Sequence, residues 1–232
     1  TIATIALSVL LFSFISLFLT LLSVFFSSDT SSFLEFTLSE FLDNISNELS
    51  EFIASIDETS INKACELILE AEKNHGRVHV TGIGKPGHVS GYISSLLSST
   101  GTSAYILHGT EAVHGSSGQV VEGDVVIAIS NSGETQELKA TLKTLKVNGA
   151  KIIGVSGNES SFLKNISDIF LFAGVKQEGD CLNKAPRASI LAETIILQSL
   201  SVVLQYAKGL NTQQYLKWHP AGSLGKSIRE GI

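Results

Sequence analysis

Five short, almost wholly apolar runs, each followed by a stretch of helical character, constrain this chain more than any other feature. The runs cover about 78–82, 103–107, 124–130, 151–156 and 169–172. The third holds Val125-Val126-Ile127-Ala128-Ile129, with no polar residue on either face. A strand without alternation must be dry on both sides, which is the condition of a parallel sheet covered by helices on both faces. Candidate helices at 86–99, 135–148, 160–165, 189–208 and 212–218 supply that cover. Ligands of such sheets bind beyond the carboxyl ends of the strands, so the polar turns there are where function is sought.

The first of those turns is Gly82-Ile83-Gly84-Lys85-Pro86-Gly87. Glycines let the backbone approach an anion closely, and the amino end of the next helix points free N–H groups at it. Pro86 suits a first helical turn, where the N–H it lacks has no partner anyway. The same pattern serves dinucleotides, but that reading wants an acid about 20 positions on, at the end of the second strand. The second strand ends in His108-Gly109, and Glu111 lies beyond it in the turn, which argues against NAD. A purely structural glycine turn stays open beside the phosphate reading.

A second polar turn, Ser130-Asn131-Ser132-Gly133-Glu134-Thr135, follows the third strand and runs straight into a helix. Hydroxyls and amides at a helix start cradle phosphate, and the same groups also cap a helix. Both turns lie on one sheet edge, so a single phosphorylated ligand can bridge them.

A net charge of −6 offers nothing to nucleic acid or an anionic membrane surface. Two cysteines, Cys65 and Cys181, are too few for a disulfide framework and lack metal-ligand spacing, so both read as free thiols with no metal site. Residues 2–26 carry no charge and are long enough to span a bilayer. No basic flank orients them, and two readings stand: a membrane anchor, or a stretch outside the mature protein. The chain contains no methionine, so its natural start is expected to lie further upstream. The sequon at Asn158 falls at a strand end, where a glycan would obstruct the cleft, so the globular part is expected in the cytoplasm. From Phe33 to about Lys73 the apolar residues recur at helical spacing and predict two amphipathic helices, broken near 57–60, with Thr59 or Ser60 capping the second. The division is then a hydrophobic segment at 1–28, a helical arm at 33–75 and a ligand-binding domain at 76–232.

Four ordered motifs carry a resemblance. They are Gly82-Ile83-Gly84-Lys85-Pro86-Gly87-His88, Glu111-Ala112-Val113-His114-Gly115, Ala128-Ile129-Ser130-Asn131-Ser132-Gly133-Glu134 and His219-Pro220-Ala221-Gly222-Ser223-Leu224-Gly225. Together, over roughly 41–227, they resemble the sugar isomerase (SIS) domain, and within it the D-arabinose-5-phosphate isomerases. The resemblance implies a flavodoxin-like α/β fold, a five-stranded parallel sheet flanked by helices, assembled as a homotetramer with sites shared between subunits. It implies interconversion of D-ribulose 5-phosphate and D-arabinose 5-phosphate without a cofactor, feeding lipopolysaccharide or capsule precursors. The family's catalytic positions fall on Lys85, His114, Glu134, Glu178 and His219. Phosphate-binding candidates are Gly84, Ser130, Ser132, Thr135, Ser189 and Arg187.

The chemistry asks for such residues. Moving a carbonyl between neighbouring carbons needs a base that takes a carbon-bound proton and returns it next door, and groups that stabilise the enediolate. Glu178, in Val175-Lys176-Gln177-Glu178-Gly179-Asp180, is the expected base, and Lys85 the electrostatic stabiliser. His114 and His219 are expected to shuttle protons or open the ring.

Two departures stand against the match. Ser116 replaces an aspartate after His-Gly, and Ala185-Pro186-Arg187-Ala188-Ser189-Ile190-Leu191-Ala192-Glu193 retains chiefly Ser189 of a hydroxyl-rich run. Arg187 offers a rigid cationic fork for phosphate, or else pairs with Glu193. These changes keep two alternatives open, a non-catalytic phosphosugar sensor and an isomerase or lyase acting on another phosphosugar. Many family members continue into paired nucleotide-sensing CBS modules, and no segment here resembles one.

Overall fold

The computed structural model describes residues 30–231. The chain divides into two units, 1–44 and 45–232, and the second carries the sheet. The uncharged run at 2–26 lies outside the described residues. A helix α1, Thr30–Ala54, leads through a short break into α2, Glu58–Lys73. Asp57 caps α2: its carboxylate accepts from Thr59 N at 3.0 Å and from Ser60 Oγ at 2.6 Å. This corrects the expected cap at Thr59 or Ser60, whose donors are instead spent on the preceding acid.

The five strands are β1 Val78–Gly82, β2 Ala104–Ile106, β3 Val125–Ile129, β4 Lys151–Ser156 and β5 Ile169–Phe172. They form one all-parallel sheet in the order β2-β1-β3-β4-β5. Helices α3 Lys85–Ser99, α4 Gln136–Val147, α5 Phe162–Ile166, α6 Ala188–Ala207, α7 Thr212–Trp218 and α8 Gly222–Glu230 complete the fold. The alternation of strand and helix anticipated this architecture. It missed α8, whose first residue, Gly222 at φ 77°, reads in sequence as a flexible link.

The sheet is buried on both faces. Val78, Val80, Val125, Ile127, Ile129 and Val155 pack against α2, α3 and α6. Val126, Ala128 and Ile152 pack on the other side against Leu138, Leu142 and Leu145 of α4 and Leu163 of α5. At the amino edge the buried Asp124 accepts from Arg77 N at 2.8 Å and Val121 N at 3.0 Å, and lies 3.1 Å from His79 Nε2. Those contacts tie β1 to β3 in a register that sets Gly82 beside Ile129 at the opposite edge. The strand order reverses between these two strands, so a crevice opens where the two polar turns begin.

Candidate functional site at the carboxyl edge of the sheet

The turn after β1 is shaped by its glycines. A Cβ on Gly82 would stand 2.8 Å from the Pro86 carbonyl carbon, and Gly84 takes a φ of 68° at the N-cap of α3. That cap has no side chain to offer, Pro86 carries no N–H and Gly87 N donates to Gly84 O at 3.0 Å, so the helix presents its partial positive charge at the turn without a side-chain cap. Lys85 opens the helix and is exposed beside them.

The turn after β3 reaches the same condition by another route. Thr135 is the N-cap of α4, but its hydroxyl lies 3.1 Å from Ser130 Oγ and does not cap the helix. Ser130 Oγ accepts from Gly133 N at 3.2 Å, and Ser132 Oγ accepts from Glu134 N at 3.2 Å. Gly133 has a φ of 65°, and a Cβ there would meet Ser161 Oγ at 2.3 Å. The loop is braced from β4 by Ser156 Oγ and Gly157 N, both donating to Asn131 O. The result is a rigid ring of hydroxyls around an uncapped helix start, next to the uncapped start of α3.

A third helix start is arranged differently. After β5 the chain loops back to α6, and Glu178, 9% exposed, accepts through Oε2 from Arg187 N at 2.6 Å and Ser189 N at 3.1 Å. Its own amide donates to Asn183 Oδ1 at 2.6 Å, with Asn183 at a φ of 49°. Upstream, Lys176 N donates to the buried Glu48 at 2.8 Å, so α1 fastens the loop that carries Glu178. Helices α3 and α6 pack together, and Thr100 Oγ1 lies 3.3 Å from Ser201 Oγ near their far ends. Their amino ends therefore share the carboxyl edge of the sheet.

On this edge the fold collects Lys85, His114, Ser130, Ser132, Thr135 and Glu178, from the turns after β1, β2, β3 and β5. His114 closes a short 3-10 turn, Ala112–His114, and is exposed. Other candidates are committed elsewhere. Glu134 pairs with Lys139 and accepts from Phe162 N at 2.6 Å, and these two partners hold its carboxyl below the ordinary carboxylate range. These contacts fix the start of α5 to the loop. Glu137, in the first turn of α4, is exposed on that edge, and only its place near a helix start signalled it in sequence. Arg187 lies in the loop before α6 and pairs with Asp180; the alternative pairing with Glu193, six residues on, is not made, since both Glu193 carboxyl oxygens lack a hydrogen-bond partner. Ser189 is fully buried, its amide spent on Glu178.

His219 is not brought to the cleft by its own chain. It stacks on Tyr215 with ring centroids 4.0 Å apart, at the end of α7. The neighbouring Trp218 lies against Gly101, where a Cβ would come within 2.6 Å of the indole. Gly101 joins α3 to β2, at the amino edge of the sheet, opposite the cleft.

A family profile described as SIS domain matches residues 72–202. The arabinose 5-phosphate isomerase KdsD of Pseudomonas aeruginosa is 39% identical over 72% of this chain and 50% of its own length. That of Francisella tularensis is 38% identical over 75% of this chain and 53% of its own length. The chain thus spans about half the length of these curated relatives. Among solved structures, E. coli CFT073 c3406 in complex with arabinose 5-phosphate is 31% identical with a TM-score of 0.76, over 83% of this chain and all of that one.

Proposed function

Because this chain belongs to the SIS domain family, we propose that it is an aldose-ketose isomerase interconverting D-ribulose 5-phosphate and D-arabinose 5-phosphate. The observation that carries the reading is the likeness to a protein solved with arabinose 5-phosphate, matched over all of that protein's length, in a fold whose two uncapped helix starts meet at one crevice. The names of the curated relatives point the same way.

In this reading the phosphate sits on the amides of α3 and α4, ringed by Ser130, Ser132 and Thr135, with Gly84 giving it close approach. Glu178 is the base. The described hydrogen bonds engage its Oε2 alone, so Oε1 is the oxygen that meets the sugar. It takes the proton from carbon 1 of the ketose, leaving an enediolate, and returns it to carbon 2 of the aldose. Lys85 stabilises the enediolate charge, and His114 moves hydroxyl protons. Glu134 is engaged by Lys139 and Phe162, so Glu137 is the alternative acid on that edge. His219 stands at the other end of its own chain's sheet, so it serves the cleft of a second copy in a homo-oligomer, which we take to be a tetramer. The globular unit acts in the cytoplasm on a precursor of lipopolysaccharide or capsule sugars.

The test is incubation with D-arabinose 5-phosphate in deuterated water. Isomerisation with exchange of the carbon-bound hydrogen supports the enzyme; tight binding without exchange makes the protein a phosphosugar sensor. Reassembling His219→Ala with Glu178→Gln chains addresses the shared site, since only mixed oligomers hold some intact clefts. Activity no greater than the sum of the two variants, with mixed oligomers present, rejects it.

A further inference from the structure

One buried acid plays no part in the reaction described above. Glu193 lies one turn along α6 from Ser189, is 0% exposed, and both of its carboxyl oxygens lack a hydrogen-bond partner. Ser189 Oγ, on the same stripe, is likewise buried and unpartnered. Ser189, Glu193, Leu197 and Ser201 recur every four residues, and Ser201 meets Thr100 at the end of α3. The stripe therefore runs along the seam between α6 and α3, from the cleft towards the other edge of the sheet. At its head is the Ser189 amide that holds Glu178.

We propose that Glu193 is a positioning residue for Glu178: it stays uncharged while Glu178 is charged, and its ionisation in alkaline solution dislodges Glu178 from the amino end of α6. The proposal rests on Glu178 being the base. Two carboxylates cannot both be ionised cheaply in so dry a place, and the one without donors is the one that keeps the proton. Glu178 has two amides to stabilise its charge. Glu193 has none, and burial first, then the Glu178 charge, pushes its carboxyl up to about 8.

The other titratable groups around α6 leave this pairing undisturbed. Cys65 of α2 is a buried thiol whose own burial raises it. Lys85 and His88, in the first turn of α3, are not buried against it. Tyr92 accepts from Gln198 at 2.8 Å, and Lys208 binds Glu72 towards the far end of α6. Asp180 and Arg187 pair with each other in the loop. Among the described residues, the charge that bears on Glu193 is that of Glu178.

Two measurements test this, one independent of turnover. Infrared difference spectra across about pH 6 to 10 should show a protonated carboxyl at neutral pH that disappears with a midpoint near 8 and is missing in Glu193→Gln. In Glu178→Gln the midpoint should move down, because the like charge is gone. The pH profile of kcat/KM in the wild type should fall about tenfold by one pH unit above that midpoint. The Glu193→Gln profile, whatever its height, should lack that limb. A role in packing alone would change the height and leave the limb. The proposal is overturned if no protonated carboxyl exists at neutral pH, if Glu178→Gln leaves its midpoint in place, or if Glu193→Gln keeps the wild-type limb. Should Glu193→Gln fail to fold, the Glu178→Gln spectrum decides. If the protein shows no isomerase activity while the spectra behave as stated, the functional reading fails and the carboxyl pairing stands.

Discussion

Helices α4 and α6 both begin at the carboxyl edge of the sheet, and both begin without a capping side chain of their own. At α4 the hydroxyls of Ser130 and Thr135 turn towards each other and do not cap the helix. At α6 the amides of Arg187 and Ser189 are taken by Glu178, a residue of the same chain. One device, the partial positive charge of a helix start, is used twice with opposite results. Left open, it is the seat that the proposed function assigns to the phosphate. Filled from within, it holds a carboxylate at a fixed place. In the proposed function, binding and chemistry are thereby divided between neighbouring helix starts.

The largest effect should come from emptying the filled one. Glu178→Gln keeps the shape and loses the proposed base, so turnover should fall by about two to four orders of magnitude while phosphosugar still binds. Steady-state kinetics beside calorimetric binding measure both, and equal losses in the two would break the contrast. Glu178→Ala also removes the cap, and chemical denaturation should show about 1 kcal/mol less stability.

Next in size is the pH dependence that Glu193 imposes. Its folded carboxyl holds a proton up to about 8, against an ordinary 4.5. Between those values the folded state binds more protons than the unfolded one, so this contribution favours folding below pH 4.5 and is lost as pH rises towards 8. The expected loss is on the order of a few kcal/mol across that window. Urea titrations at about pH 5 and pH 8, spanning that window, should show the decline in the wild type and a flatter line in Glu193→Gln. Equal slopes would mean the α6 start carries no buried proton.

Smaller effects sharpen the open side. Ser132→Ala should weaken phosphosugar binding by about 1 to 3 kcal/mol, the range for a hydrogen bond to a charged group. Unchanged affinity in folded protein would remove the α4 loop as the phosphate seat. Arg187→Ala should cost less than about 1 kcal/mol in binding or stability, because its partner is Asp180 at a partly exposed site. A loss of affinity on the order of a hundredfold there would shift the phosphate towards α6.

What the sequence disclosed and what it withheld follow from how far apart the interacting residues lie. The strand β3 and the turn Ser130–Thr135 are legible because apolar runs, glycines and hydroxyls act on their own neighbourhood. The α6 cap is not, since Glu178 reaches amides nine and eleven residues on. Glu134 reads as a site acid beside a phosphate loop, yet its partner Phe162 N is 28 residues away. Glu193 stands in sequence as a second partner for Arg187. Only packing reveals that α6 turns it inward, where it has no partner.

The hydrogen bond from Lys176 N to Glu48 bears on where this protein can be cut. The recognisable family region begins at residue 72, but the loop that delivers Glu178 is pinned by an acid well upstream of it, and Phe52 and Ile61 also belong to the main core. The border drawn by homology is therefore not the border drawn by folding. A fragment trimmed to the former would keep Glu178 and lose the anchor that holds its loop in register.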